Sequence, residues 1–316
     1  MKLTLMIFLF SFSAFSQEVF RFAIGSCNKQ FHQQPLWDVI STYEPDIFVW
    51  AGDSVYANTD QPSQIESSFQ QQLEVPGYKK FIQKFPVIGT WDDHDYNDNN
   101  ANGHYEHKEL SQKYFLDFLK EPETSPRRKQ QGVYTTQSYN SGGKKITYLL
   151  LDNRYFKDLD EEAPLLGKAQ WAWLEEQLKT QEADLYFIVT GMPVNSPRFP
   201  GSDEWADYPQ ERERLIELTT QTKKPFFFLT GDKHFSSLYK NNGYYDFMSS
   251  GMTHTTRLPL RFIVKRFYPN YYFGHTFGLV DVRFEDEKPV LFFKIINSVN
   301  DLIYSQTLRW NGVEWL

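Results

Sequence analysis

With Cys27 as its only cysteine, this chain of 316 residues cannot form an internal disulfide, and a lone exported thiol needs burial or metal ligation to protect it. Basic charge is in deficit too: 33 Lys and Arg face 40 Asp and Glu, a formal charge of -7. A protein that binds the nucleic-acid backbone shows a basic footprint, so no stable nucleic-acid partner is expected. Phosphate substrates stay open, because a bound metal ion brings its own positive charge. Internal repeats and composition breaks are missing, which reads as one domain over 17–316. After the N-terminus no apolar run is long enough to cross a bilayer. Residues 1–16 combine Lys2, an apolar stretch over 3–10 and the small-residue end Ala14-Phe15-Ser16. That pattern reads as a signal peptide, with a buried strand or an anchor as the competing readings. The expectation is a mature chain from Gln17, exported to the periplasm or beyond, without a transmembrane anchor. Nothing in the sequence sets an oligomeric state.

Aromatic residues are abundant, at 17% of the chain, and supply ample core material. Mostly apolar runs over 46–51, 86–90, 185–190 and 225–230 predict buried strands, and 19–26 predicts the first strand of the fold. Residues 133–140 and 144–152 predict a strand pair around Ser141-Gly142-Gly143. Helical spacing covers 34–43, 61–85 with a break near Pro76, 108–120, 166–179 and 211–218. Residues 92–107 read as a polar loop and 241–275 as an Arg- and Tyr-rich insertion that could cover a site; Arg257 and Arg261 lie in it, and no role is assigned to them. FGLVDVRF and VLFFKIINS read as closing strands. This order predicts an α/β fold of two packed sheets with outer helices.

Three of the expected strands end in acidic and histidine residues: DIFVWAGD, FPVIGTWDDHD and KPFFFLTGDKH. Open α/β sheets place their chemistry at such carboxyl edges. Asp53 directly follows a strand and can bridge two cations, although Gly-Asp is also ordinary turn sequence. Tyr56, three residues on, reaches the same site if the chain turns helically; it otherwise reads as a packed rim tyrosine. Asp92, Asp93, His94 and Asp95 concentrate negative charge that needs a counter-charge or solvent. Asp232 and His234 are two apart and face one way on an extended segment, or they form a structural turn. Arg154, after Asp152 and Asn153, is read either as a grip on phosphate oxygens or as half of a salt bridge. Trp91, Tyr96, Trp205 and Tyr208 wall a cleft or pack in the core.

Taken together, GSCN at 25–28, GDSVY at 52–56, TWDDHD at 90–95, LDNR at 151–154, QWAWL at 170–174 and TGDKH at 230–234 resemble the PhoD-like alkaline phosphatase family of the metallophosphoesterase superfamily. The resemblance runs from about residue 20 to 280. It implies a four-layer α/β/β/α sandwich of two mixed sheets with a multimetal site between strand ends. It implies Fe(III) and Ca²⁺ as cofactors, with another divalent metal as the alternative. Cys27, Asp53, Tyr56, Asp93, Asp232 and His234 are the implied metal ligands, Tyr56 as a tyrosinate on Fe(III) and Asp53 as the bridge. His94 takes the position of the catalytic histidine, a proton donor to the leaving oxygen, and Arg154 neutralises phosphate oxygens. The chain departs from the superfamily in carrying Gly-Ser-Cys-Asn where Asp-x-His is usual, and in having no histidine at the strand end over 189–195. Asn195 is the substitute considered there, reaching the site through its amide oxygen.

The implied reaction is hydrolysis of a phosphate monoester by a metal-activated hydroxide. The same core would serve a phosphodiesterase or phospholipase-like enzyme, for which the aromatic-rich segments 196–209 and 257–273 suit a lipid or glycan moiety. An exported metal-binding domain without turnover is the reading outside enzymes.

Overall fold

The computed structural model describes residues 18–180, 182–198, 203–268 and 270–316. The expected signal peptide lies outside the described residues. Two six-stranded mixed sheets pack face to face, with helices on both outer faces. In the first sheet, β1 (Phe20–Gly25), β2 (Ile47–Ala51) and β3 (Val87–Thr90) run parallel. They continue antiparallel through β10 (Thr276–Glu285), β11 (Lys288–Asn297) and β12 (Leu302–Arg309). The second sheet has β5 (Lys144–Leu150), β6 (Leu185–Thr190), β7 (Phe226–Thr230) and β9 (Tyr244–Ser249) in parallel. Its edges are β4 (Thr135–Ser141) and β8 (Ser236–Asn241), each antiparallel to its neighbour.

The apolar runs follow from burial on both faces of each strand. In β2, Ile47, Val49 and Ala51 point between the sheets, while Phe48 and Trp50 point to the outer helices. In β6 the same alternation sends Leu185, Phe187 and Val189 inward and Tyr186 and Ile188 outward. Helices α1 (Leu36–Thr42), α2 (Pro62–Glu74), α3 (Pro76–Lys84) and α5 (Lys108–Phe118) cover the first sheet through Trp37, Phe69, Phe81 and Phe115. The break near Pro76 is real, because Pro76 is the first residue of α3. Helices α6 (Gly167–Thr180) and α7 (Pro209–Gln221) cover the second sheet through Trp171 and Leu215.

Two expectations need correction. The loop over 92–107 contains a short helix, α4 (Asp93–Tyr96), closed by a capping box between Asp92 and Asp95. The supposed insertion over 241–275 holds β9, a strand inside the second sheet, and α8 (Leu258–Phe267). β9 escapes a sequence reading because Asp246 lies in it, buried. Its carboxylate accepts from Thr230 Oγ1 and from the amides of Val194 and Asn195 at 2.9 and 3.1 Å, partners remote in sequence.

The carboxyl ends of the two sheets meet. A side chain at Gly231 would begin 2.2 Å from the Ala51 carbonyl oxygen, so only glycine permits this approach. Gly52, with φ of +79°, lets the chain turn sharply beneath Asp92.

Candidate metal centre

Four residues at these strand ends adopt left-handed backbone without being glycine: Cys27 (φ 56°), Asp53 (51°), Asp232 (70°) and His234 (62°). That conformation costs an L-residue roughly 1–2 kcal/mol, somewhat less for Asp. It persists where surrounding bonds fix it, and such strain clusters at functional sites. Here the restraints are backbone bonds between neighbouring strand ends. Asn28 N–H donates to the Asp53 carbonyl at 2.8 Å, and Thr253 and His254 N–H donate to the Cys27 carbonyl at 3.2 and 3.1 Å. The His234 amide donates to Ser250 Oγ at 2.7 Å.

Each turn therefore aims a side chain into one space. Cys27 Sγ donates to Asp53 Oδ2 at 3.4 Å and lies 2.9 Å from Ser250 Oγ. Tyr56 OH donates to Asp53 Oδ2 at 3.1 Å and lies 3.1 Å from His234 Nε2. Two groups with metal-ligand geometry result: Cys27, Asp53 and His234, and Asp53, Asp93 and His94, the candidate atoms of each within 4.8 Å of one another. Asp53 belongs to both. Its second oxygen, Oδ1, is buried with no hydrogen-bond partner, as fits an atom aimed at a cation.

Burial dominates the electrostatics. It pushes the Cys27 thiol up to about 11 and raises the Asp53 carboxyl and Tyr56 phenol well above their ordinary ranges, helped by the charges around each. It lowers His94 and His234, despite nearby carboxylates. The polypeptide alone thus disfavours charge here, and a cation among these groups would reverse the preference. Asp93 is the exception at about 2: burial raises it, but Arg154, His94 and amide bonds from Asn100 and His94 outweigh that. The donor set, one thiolate, carboxylates, a phenolate and imidazoles, suits transition-metal ions on one side and harder ions on the other.

The sequence-predicted residues divide clearly. Cys27, Asp53, Tyr56, Asp93, His94 and His234 converge. Asp232 lies beside them, its carboxylate 3.0 Å from Lys233 Nζ. Arg154 has no exposed surface. Its Nε donates to Asp92 at 2.6 Å and its Nη1 to Asp203 at 2.6 Å, with the Arg154 amide bonded to Asp152 at 2.8 Å. Of its two readings, the geometry supports the salt bridge. Asn195 is a correction: its amide nitrogen donates to the Asn241 and Tyr244 carbonyls at 3.1 and 2.6 Å, at the opposite end of β9 from the cluster. Trp91, Tyr96 and Trp205 are fully buried and serve packing. Asp95 accepts from Ser54 Oγ and the amides of Val55 and Asp92, and so shapes the turn.

His254 went unrecognised in the sequence. Its Nδ1 lies 3.2 Å from Tyr56 OH and its ring 3.9 Å from that of His234. Burial and the neighbouring His234 push its pKa down to about 3. The available signal was its place just beyond a strand end, hidden while β9 was read as insertion.

A family model described as PhoD-like phosphatase matches residues 22–254. The chain belongs to this family. Among curated proteins, the alkaline phosphatase D of Bacillus subtilis (strain 168) is 25% identical, with the match covering 52% of this chain and 33% of that protein. The region compared is therefore about a third of that relative's length. A solved structure of PhoD superposes with a TM-score of 0.73 at 16% identity, covering 95% of this chain and 71% of that one. This likeness confirms the PhoD-like architecture of two mixed sheets flanked by helices.

Proposed function

We propose that the protein hydrolyses phosphate esters with metal ions held at the strand-end cluster. The observation that carries this is the shared Asp53: one buried carboxylate common to two groups of metal-type donors, with an unpartnered oxygen. Cys27, Tyr56 and His234 with Asp53 would hold a ferric ion, and Asp53 with Asp93 and Asp232 would offer oxygens to a second position suited to calcium, with His94 beside it. Bound ions of this kind supply Lewis acidity and make water a nucleophile near neutral pH.

The protein groups have distinct tasks in this reading. His94 stacks on Tyr56 with ring centroids 4.1 Å apart, and its Nδ1 hydrogen-bonds Asn58 Oδ1. Ring and amide together aim Nε2, which would hand a proton to the leaving oxygen. Arg154 acts by fixing Asp92 and Asp203 rather than by touching substrate. His254 orients Tyr56. Residues 1–16 would direct export.

Ester type is left to the measured rates: the buried Arg154 is committed to two carboxylates, while Lys29, with its Nζ 5.1 Å from the centre of the Tyr56 ring, stands as a further cation beside the cluster. The test is hydrolysis of p-nitrophenyl phosphate and bis-p-nitrophenyl phosphate with iron and calcium supplied, beside Asp53→Asn. Metal-dependent turnover that falls at least about 100-fold in the variant is expected. The ratio of the two rates assigns ester type. Full activity in Asp53→Asn would defeat the proposal.

A further inference from the structure

Asp246 and Asp281 bracket 34 residues, 247–280, without a single Asp or Glu, in a chain whose net charge is -7. Within them lie Arg257, Arg261, Lys265 and Arg266. Helix α8 carries the last three, and it starts shortly after the loop that places His254 against Tyr56. Its inner side is held by Val264, buried with Phe235, Met248 and Tyr268. Its outer side presents Phe262, Lys265 and Arg266, spaced i, i+3 and i+4 and therefore on one face. All three are exposed, Phe262 to 76%. Arg261 stacks over Phe273 at 4.7 Å and donates to the Thr256 carbonyl at 3.0 Å, which ties the helix to the loop beside the metal cluster. Among the described residues, none of the four cations forms an ion pair with a carboxylate.

A large exposed aromatic set among unpaired cations is the composition of a helix lying in a lipid headgroup layer. A soluble polyanion would use the charges but offers nothing to Phe262, whereas a bilayer receives both. We propose that the outer face of α8 docks on an anionic phospholipid bilayer, with Phe262 entering the acyl boundary and Lys265 and Arg266 meeting headgroup phosphates. No helix of the described residues is long and apolar enough to cross a membrane, so contact here would be peripheral.

The test is sedimentation with phosphatidylcholine vesicles and with vesicles containing phosphatidylglycerol. The same full chain is used in every arm, so the apolar N-terminal run contributes equally. Binding should be stronger to the anionic vesicles. Lys265→Gln with Arg266→Gln should weaken it about 25-fold, at about fivefold per charge. Phe262→Ala should weaken it about tenfold. Near-UV circular dichroism reports the fold, and turnover of a soluble ester should be unaffected. Equal binding to both vesicle types, or wild-type binding by both folded variants, overturns the proposal. So does capture by heparin without vesicle binding, which would assign the face to a soluble polyanion.

Discussion

At Arg154 a guanidinium without exposed surface sits between Asp92 and Asp203. Burial works against its charge, but Asp92, Asp93 and Asp203 outweigh burial and hold it protonated. Removing one member of such a pair leaves the other charged and unpaired, which costs about 3–5 kcal/mol. Arg154→Ala should therefore lower the free energy of unfolding by about that amount in a urea titration. A variant of native stability that lost only turnover would return Arg154 to the role of phosphate grip. The LDNR segment alone left these readings level, since Asp92 and Asp203 lie 62 and 49 residues away. His94 and Asp53 were legible because each follows an apolar strand, where the architecture collects chemistry.

Among the elements, β1, β10 and β11 are joined by more than their ladders. Asp281 on β10 accepts from Arg21 on β1 at 2.5 Å and from Lys294 on β11 at 2.7 Å. Burial pushes its carboxyl upward, but the hydrogen bonds and charges of Arg21 and Lys294 win and hold it below the usual range. A depressed folded-state pKa means stability that is present above the unfolded value of about 3.9 and lost as pH falls through the folded value. Asp281→Asn should thus flatten the acid side of the stability–pH curve below about pH 4, measured by denaturant midpoints. An unchanged acid limb would show that the bridge carries no net stability. Strands with apolar side chains on both faces announced themselves in the sequence. β8 and β9 did not, because an edge strand carries polar residues on its open side and Asp246 is satisfied only by distant groups.

For the molecule as a whole, the site exists only where the two sheets are in register. Cys27 and Asp53 come from the first sheet and His234 from the second. Metal that binds this arrangement and not the unfolded chain must stabilise the fold, by about 2.7 kcal/mol at a free concentration 100 times the dissociation constant. Adding iron and calcium to chelated protein should raise the thermal midpoint, and Asp53→Asn should abolish most of the rise. Equal midpoints with and without metal would show that the cluster is not a binding site. Two packed sheets with outer helices were readable from the apolar runs and helical spacing, and the four-layer α/β/β/α order from the family resemblance. How the strand-end loops cross from one sheet to the other was not, since it depends on contacts such as Ser249 Oγ with the Ile24 carbonyl, 225 residues apart.

The position of Asp53 in both donor groups has a thermodynamic consequence. Two ions that share a carboxylate cannot fill as independent sites. Whatever factor the first ion imposes on the affinity of the second, the second imposes on the first, because binding free energies are reciprocal. Scarcity of either metal would then change how firmly the other is retained. The chain would in effect respond to the two metal activities jointly rather than to each alone.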